Sequence, residues 1–278
     1  MKNLNPVSTV KNFATKNSIK LSEKTIDKSE QANGFFKEMA DIFIFIARTT
    51  KEAFSLDFEF KEFLHQCFLI GNKSLALVSI TGMIMGLVLT IQSRPVLVDF
   101  GAVSMLPGMV TLSIIREMGP VITALICAGK IGSGMGAELG SMKVTEQIDA
   151  MEVSSTNPMR FLVVTRVLAA TLMVPALILY ADAIGIFGGW VGANIKGDVN
   201  FILFFSQAFG HVDFLDFLPA VAKSFLFGGV IGFVGCYKGY SAGRGTESVG
   251  IAANSAVVLS SLLVIVVDLI AVQITDLL

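Results

Sequence analysis

Five long apolar segments constrain the fold of this chain more than any other feature of its sequence. They lie at residues 74–92, 104–130, 161–190, 217–237 and 249–274. A helix needs about 20 predominantly apolar residues to cross roughly 30 Å of hydrocarbon, and each segment approaches or exceeds that length. Lipid offers no hydrogen-bond partners to backbone amides, so each segment is predicted to be a helix rather than an open strand. We therefore predict an all-α membrane protein with five transmembrane helices.

The composition agrees with a bilayer as the solvent of this chain. Hydrophobic residues make up 53% of the sequence and charged residues only 15%, and the mean hydropathy is +0.71. These values lie far outside the range of ordinary globular proteins. The formal net charge of -1 provides no general attraction to nucleic acid, so no nucleic-acid partner is expected.

Positive charges near the helix ends predict the orientation of the spans. Basic residues flank one set of ends, namely Lys51, Lys61, Lys73, Lys143, Arg160, Lys238 and Arg244. The opposite ends carry mainly aspartates, with Arg94 and Lys196 as basic exceptions. Loops rich in Lys and Arg stay in the cytoplasm, so the N-terminus is predicted to be cytoplasmic and the C-terminus to lie outside.

The N-terminal part of the chain differs in character from the spans. Residues 1–33 are rich in Lys, Asn, Ser and Thr without an apolar run of signal-peptide length, which predicts a disordered, polar cytoplasmic tail. In residues 34–64, apolar residues recur from Phe35 to Phe54 while charged residues fall largely on the other side. This pattern predicts an amphipathic helix in the membrane interface, with an ordinary helix packed on the others as the alternative.

Small residues recur every four positions along the second apolar segment and beyond it. They include Ala128, Gly132, Gly136 and Gly140. On a helix these positions form one groove, which allows a second helix to approach closely. We predict a role in helix packing, with direct contact to substrate as the alternative.

Arg116 and Glu117 place two charges near the middle of the second span. A charge at that depth is costly unless it is paired or faces water. Adjacent residues point about 100° apart on a helix, so these two cannot neutralise each other face to face. At least one is predicted to face a cavity, Lys238 or another subunit, with a structural ion pair as the alternative. Two further acids inside the spans, Asp182 and Asp268, have no evident partner in the sequence.

A short polar segment between the second and third spans is predicted to bind a partner protein. It forms a mixed polar and apolar helix near residues 143–152 and includes Thr145, Glu146, Gln147, Asp149 and Met151. A helix of this kind can dock into a groove on another protein. A solvated turn is the alternative.

The chain carries no motif for catalysis or energy conversion. Gly129 and Lys130 superficially resemble a phosphate loop, but Ile131 follows where Ser or Thr is required, and no strand precedes them. Catalytic signatures and metal-ligand spacings are absent as well. We therefore expect no intrinsic enzyme activity, no metal and no cofactor in this chain, and any ATP must be bound by a partner subunit.

One long run resembles a known family. The sequence REMGPVITALICAGKIGSGMGAELGSMKVTEQIDAM, from Arg116 to Met151, is similar to the signature of MlaE-type permeases, the membrane subunits of MCE-associated ABC lipid transporters. The likeness extends to FGAVSMLPGMVTLS before it, NPMRFLVVTRVLA after it and CYKGYSAGRGTESVG before the last span. It covers most of the chain from about residue 65 onward, so residues 65–278 are interpreted as one permease domain.

The resemblance implies a homodimeric permease in a bacterial inner membrane, held between ATPase subunits and a periplasmic MCE-domain protein. It implies that the complex moves phospholipid and contributes to outer-membrane lipid asymmetry. The segment from Thr145 to Met151 looks like the coupling helix that seats in the ATPase, with Glu146 and Asp149 as polar contacts.

The same likeness associates Arg116, Glu117 and Lys238 with a lipid-binding cavity. A different class of protein, an ion-coupled secondary transporter of a hydrophobic substrate, would also contain buried charges. Such transporters usually show internal repeats around an ion site at the midplane, and the sequence shows no convincing repeat.

Overall fold

The computed structural model describes residues 40–53, 58–195, 197, 199–210, 212–275 and 277. The predicted tail at residues 1–33 lies outside this part of the chain. Residues 40–53 form helix α1, which falls within the predicted interfacial region. The next helix begins at Phe60, so residues 60–64 are continuous with the helix that contains the first apolar segment.

Within the described residues, five helices are long and apolar enough to cross a membrane. They are α2 (Phe60–Asp99), α3 (Val103–Val144), α5 (Met159–Ile195), α7 (Phe214–Tyr240) and α8 (Thr246–Thr275). Two shorter helices, α4 (Gln147–Val153) and α6 (Phe201–Phe209), lie between spans. No strand occurs in the described part of the chain. The prediction of an all-α protein with five transmembrane helices is confirmed, and the cytoplasmic position of the N-terminus stays a prediction.

Helix α3 contains two wider, π-helical turns, at Ile114–Met118 and at Ala128–Gly132. The first of them directly precedes Gly119 and Pro120. Proline has no amide hydrogen to donate to the preceding turn, and a π-helical turn is one way for a helix to accommodate such an interruption. The wider turn places Arg116 and Glu117 on an irregular stretch of backbone inside the span.

Helix α5 is the most buried of the five spans, and it packs most extensively against α2. The two helices cross at glycines, where their backbones touch. A Cβ atom at Gly86 would overlap the carbonyl of Gly185, and one at Gly188 would overlap the carbonyl of Met83. Such contacts favour glycine because a larger residue would push the backbones apart.

The small-residue stripe of α3 faces α8. A Cβ atom at Gly132 would lie 3.3 Å from the hydroxyl oxygen of Ser260, and one at Gly136 would lie 3.2 Å from the carbonyl oxygen of Ala252. The ends of the stripe are also enclosed, since Ala128 is fully buried and a Cβ atom at Gly140 would lie 3.6 Å from the Cα atom of Val249 on α8.

Helix α7 packs beside α3 through glycines of its own. A Cβ atom at Gly235 would lie 3.2 Å from the carbonyl oxygen of Gly132, and one at Gly239 would lie 2.9 Å from that of Gly136. The three helices α3, α7 and α8 therefore meet through small residues. Their close approach brings polar side chains on the same helices within reach of one another.

Candidate functional site

Arg116 and Glu117 lie in the first π-helical turn of α3 and meet different partners. Nε of Arg116 lies 3.5 Å from Oδ1 of Asp216, which is in the first turn of α7. Oε2 of Glu117 accepts a hydrogen bond of 2.9 Å from Nζ of Lys223, two turns further along α7. The divergence of adjacent helical side chains explains why each forms a separate ion pair.

Lys223 is the centre of this group of charges. Its side chain is only 5% exposed, and its Nζ donates a second hydrogen bond, of 3.0 Å, to Oδ1 of Asp268 on α8. A buried ammonium is stable only when it is paired, and two carboxylates from two other helices satisfy it. The ion pairs therefore join α3, α7 and α8.

The sequence interpretation missed Lys223 and left Asp268 without a partner. The available signal was the single charged residue within the apolar segment at residues 217–237, because such a residue requires a partner at membrane depth. Hydropathy gave no means of choosing between Glu117, Asp182 and Asp268 as that partner.

Arg116 and Glu117 border a cleft at the end of the bundle where α7 begins and α8 ends. Their side chains are 44% and 46% exposed, so the two charges of opposite sign are accessible beside each other. The cleft is lined by Arg116, Glu117, Asp216, Pro219, Ala220, Lys223, Val272 and Thr275. It presents both positive and negative groups to any molecule that enters.

The structure does not bring Lys238 to this cleft. Lys238 lies on α7 fifteen residues beyond Lys223, a separation of about 22 Å along a helix. Its Nζ lies 5.5 Å from the ring centroid of Tyr237. The cation that meets Glu117 is therefore Lys223 and not Lys238, and a role of Lys238 at a lipid cavity stays a prediction.

Asp182 occupies a more enclosed position on α5. Its carboxylate is beside Gly119 of α3, where a Cβ atom would overlap it. The residue is 7% exposed, and its Oδ1 has no hydrogen-bond partner among the described residues. Asp182 contributes a carboxyl group close behind the cleft and does not line it.

The predicted coupling segment forms a turn and the short helix α4. Thr145, Glu146, Gln147 and Asp149 are exposed and Met151 is half-buried. Ile148 is fully buried and holds the helix against the bundle. The turns on both sides of α4 contain left-handed backbone, with φ of 58° at Glu146 and 62° at Ser155. Nζ of Lys143 lies 2.7 Å from Oδ1 of Asp149 across the first bend.

A second ion pair with a buried partner, which the sequence interpretation also missed, lies between α3 and α5. Nη2 of Arg166 on α5 lies 2.7 Å from Oε1 of Glu138 near the end of α3. Arg166 is 2% exposed and Glu138 is 50% exposed, and Nη1 of Arg166 also donates to the carbonyl of Leu162 at 3.0 Å. The pair ties the part of α3 that leads into α4 to the centre of the bundle.

Comparisons with known proteins agree with one another. The family model described as Permease MlaE matches residues 63–274. A probable ABC transporter permease protein of Rickettsia typhi is 38% identical over 203 residues, which are 73% of this chain and 78% of that protein. A probable ABC transporter permease protein of Synechocystis is 36% identical over 203 residues, 73% of this chain and 77% of that protein. The intermembrane phospholipid transport system permease protein MlaE of Haemophilus influenzae is 36% identical over 207 residues, covering 74% and 79% of the two chains.

Proposed function

The chain belongs to the MlaE permease family and is a membrane permease subunit of an ABC transporter, and we propose that it moves phospholipid. The name of the Haemophilus influenzae relative, which refers to intermembrane phospholipid transport, supports this substrate. The proposed complex lies in a bacterial inner membrane, contains two copies of this chain and exchanges lipid with a periplasmic MCE-domain partner. Its proposed role is in outer-membrane lipid homeostasis.

The cleft beside Arg116 and Glu117 is the observation that carries this proposal. Each side chain has one ion-pair partner but is still close to half exposed within an apolar helix bundle, and an exposed charge is expensive in lipid unless it faces water or a polar ligand. A phospholipid head group offers charged partners, since a guanidinium binds phosphate oxygens through paired hydrogen bonds. Val272 in the lining adds an apolar surface for the adjoining part of the lipid.

Energy is proposed to enter through α4. The sequence has no nucleotide-binding motif, so ATP is assigned to a separate ATPase subunit. The exposed residues of α4 and its preceding turn, including Glu146 and Asp149, are suited to docking into a groove of that subunit. The buried Ile148 keeps α4 attached to the bundle while its polar side faces outward.

One helix connects the two proposed sites. Helix α3 carries Arg116 and Glu117 in its first half and ends at Val144, directly before the coupling turn. In the proposed mechanism, closure of the paired ATPases moves α4, shifts the end of α3 and narrows the cavity between two copies of the chain. The lipid is thereby displaced, because a change in cavity shape lowers its affinity in one state relative to the other.

Reconstitution with the ATPase and MCE-domain subunits tests the coupling. A Glu146→Ala and Asp149→Ala double variant should still hydrolyse ATP but should lose most of its ATP-dependent lipid transfer between vesicles and the MCE-domain protein. The control variant, Glu247→Ala, removes an exposed acid at the start of α8, and a complex that contains it should transfer lipid normally. Normal transfer by the double variant would show that energy enters elsewhere.

The alternative from the sequence, an ion-coupled secondary transporter, does not fit membership of an ABC permease family, and Asp182 is the observation in its favour. A buried carboxyl group whose Oδ1 lacks a partner among the described residues is the kind of group that proton-driven carriers use. Vesicles containing this chain alone separate the two candidates. Lipid movement driven by a proton or sodium gradient would support the secondary transporter, whereas movement that requires a co-purified ATPase and ATP supports the permease.

A further inference from the structure

The charges at the cleft do not balance. Two cations, Arg116 and Lys223, face three carboxylates, those of Glu117, Asp216 and Asp268. Each cation has at least one carboxylate within 3.5 Å, which leaves one negative charge in excess. Asp182, which lies behind the cleft, adds a further acid and no cation.

The exposed part of the cleft contains one group of each sign. Arg116 contacts Asp216 through Nε and its side chain is 44% exposed, so its terminal nitrogens are able to donate hydrogen bonds to an entering anion. Glu117 uses Oε2 for Lys223 and is 46% exposed, so its second carboxylate oxygen is able to accept a bond from an entering cation. Their adjacency in the chain places a site for a negative group next to a site for a positive one.

The depth of these groups matches a lipid head group at the mouth of the cleft. Asp216 is in the first turn of α7, and Lys223 is seven residues further along, about 10 Å into the bundle. Thr275, the last residue of α8, lines the same mouth. The charged groups of the cleft thus lie near the start of α7 and the end of α8, where a head group lies when its acyl chains extend into the bundle.

We propose that this cleft selects phospholipids whose head group is zwitterionic, with phosphate at Arg116 and ammonium at Glu117, over phospholipids that carry net negative charge. This specificity rests on the proposed function as a phospholipid permease. A lipid of net negative charge adds to the excess carboxylate, and like charges at close range repel even where water screens them in part. A zwitterionic head group adds no net charge, and its ammonium relieves the excess.

The experiment compares lipids that differ only in the head group. Phosphatidylethanolamine, phosphatidylcholine and phosphatidylglycerol with identical acyl chains compete for the full chain, in complex with its ATPase subunit, and native mass spectrometry counts the bound lipid. We expect both zwitterionic lipids to exceed phosphatidylglycerol by about fivefold or more, the effect of one unbalanced charge in partly solvated surroundings. Equal binding of all three lipids, or an excess of phosphatidylglycerol, would overturn the specificity and leave lipid transport intact.

Variants identify the residues responsible. Glu117→Gln removes the excess charge and should at least halve the preference. Asp216→Asn should also reduce the preference for zwitterionic lipids. The side-chain oxygen of the asparagine is still able to accept the hydrogen bond from the backbone N–H of Asp213 that caps α7. Glu247→Gln changes the net charge equally at a distant exposed position and should leave the preference unchanged.

The outcomes distinguish this specificity from the proposed function. An unchanged preference in both Glu117→Gln and Asp216→Asn would overturn the assignment of the ammonium site. The assignment would also be overturned if Glu247→Gln reduced the preference as much as Glu117→Gln and Asp216→Asn do, because the overall charge of the protein would then be responsible. If none of the three lipids binds the wild-type complex, the proposal of phospholipid transport fails as well.

Discussion

Nζ of Lys223 on α7 lies 2.9 Å from Oε2 of Glu117 on α3, within a bundle of apolar helices. The two residues are 106 positions apart in the chain. The ion pair links the helix that leads to the coupling turn with the helix that forms the mouth of the cleft. It thereby holds Glu117 in place beside Arg116 and stabilises the charge arrangement on which lipid selection is proposed to depend.

Lys223→Met should destabilise the protein more than Lys223→Arg. Methionine leaves Glu117 and Asp268 without their cation, and breaking a buried pair costs roughly 3–5 kcal/mol. We expect a smaller loss, about 2–3 kcal/mol, because Glu117 is 46% exposed and water can replace part of the interaction. Unfolding in mixed detergent measures the difference, and equal stability of the two variants would contradict a pairing role for Lys223.

Substitution of the two partners of the Glu138–Arg166 pair should have unequal effects on the stability of the protein. Glu138→Ala leaves the guanidinium of Arg166 buried without its carboxylate and should cost about 2–4 kcal/mol. Arg166→Met should stay within about 1 kcal/mol of the wild type, because Glu138 is half exposed and water solvates it. Thermal unfolding of the two variants measures the order of stability. If Arg166→Met were the less stable variant, the burial of Arg166 would not determine the loss of stability when the pair is broken.

Two neighbouring glycines of α7 provide a matched test of helix packing. A Cβ atom at Gly228 would lie 2.6 Å from the carbonyl oxygen of Ala170 on α5, whereas one at Gly229 would meet only the Thr171 hydroxyl, at 3.7 Å. Gly228→Ala should therefore cost about 1–3 kcal/mol through overpacking. Gly229→Ala should be neutral or stabilising by up to about 1 kcal/mol, since alanine favours helix. Unfolding curves of both variants measure this, and equal losses would contradict the close α5–α7 contact.

A glycine at position 146 should affect the stability of the protein and its binding to the ATPase subunit in different ways. Because its φ of 58° is left-handed, Glu146→Gly should keep or slightly raise the thermal unfolding temperature. The same change removes a proposed ATPase contact and should weaken binding of the ATPase subunit about five- to tenfold, measured by titration in nanodiscs. Ser155→Gly, at φ of 62°, relaxes the backbone without loss of charge and should bind normally. Loss of binding in both variants would indicate that backbone rigidity, and not the carboxylate, is recognised.

The amino-acid sequence by itself determined the number and type of the spans. Membrane insertion depends on the apolar content of each segment, which is a local property, so hydropathy alone predicted all five helices. Hydropathy also identified Arg116 and Glu117 as candidate functional residues, because a charge inside an apolar segment can be recognised without knowledge of its partner. The helix ends were predicted less well, and α2 begins at Phe60 where the apolar segment begins at residue 74.

Only the tertiary structure decided which charges meet. Glu117 pairs with Lys223 and Arg166 pairs with Glu138 because glycine contacts set which helices are neighbours and how each is rotated about its axis. The rotation of each helix about its axis and the identity of its neighbours depend on the packing of whole helices, so no local sequence pattern predicts them. Lys238, which the sequence suggested as a partner for these charges, therefore lies far from Arg116, while Lys223 of the same helix completes the cleft.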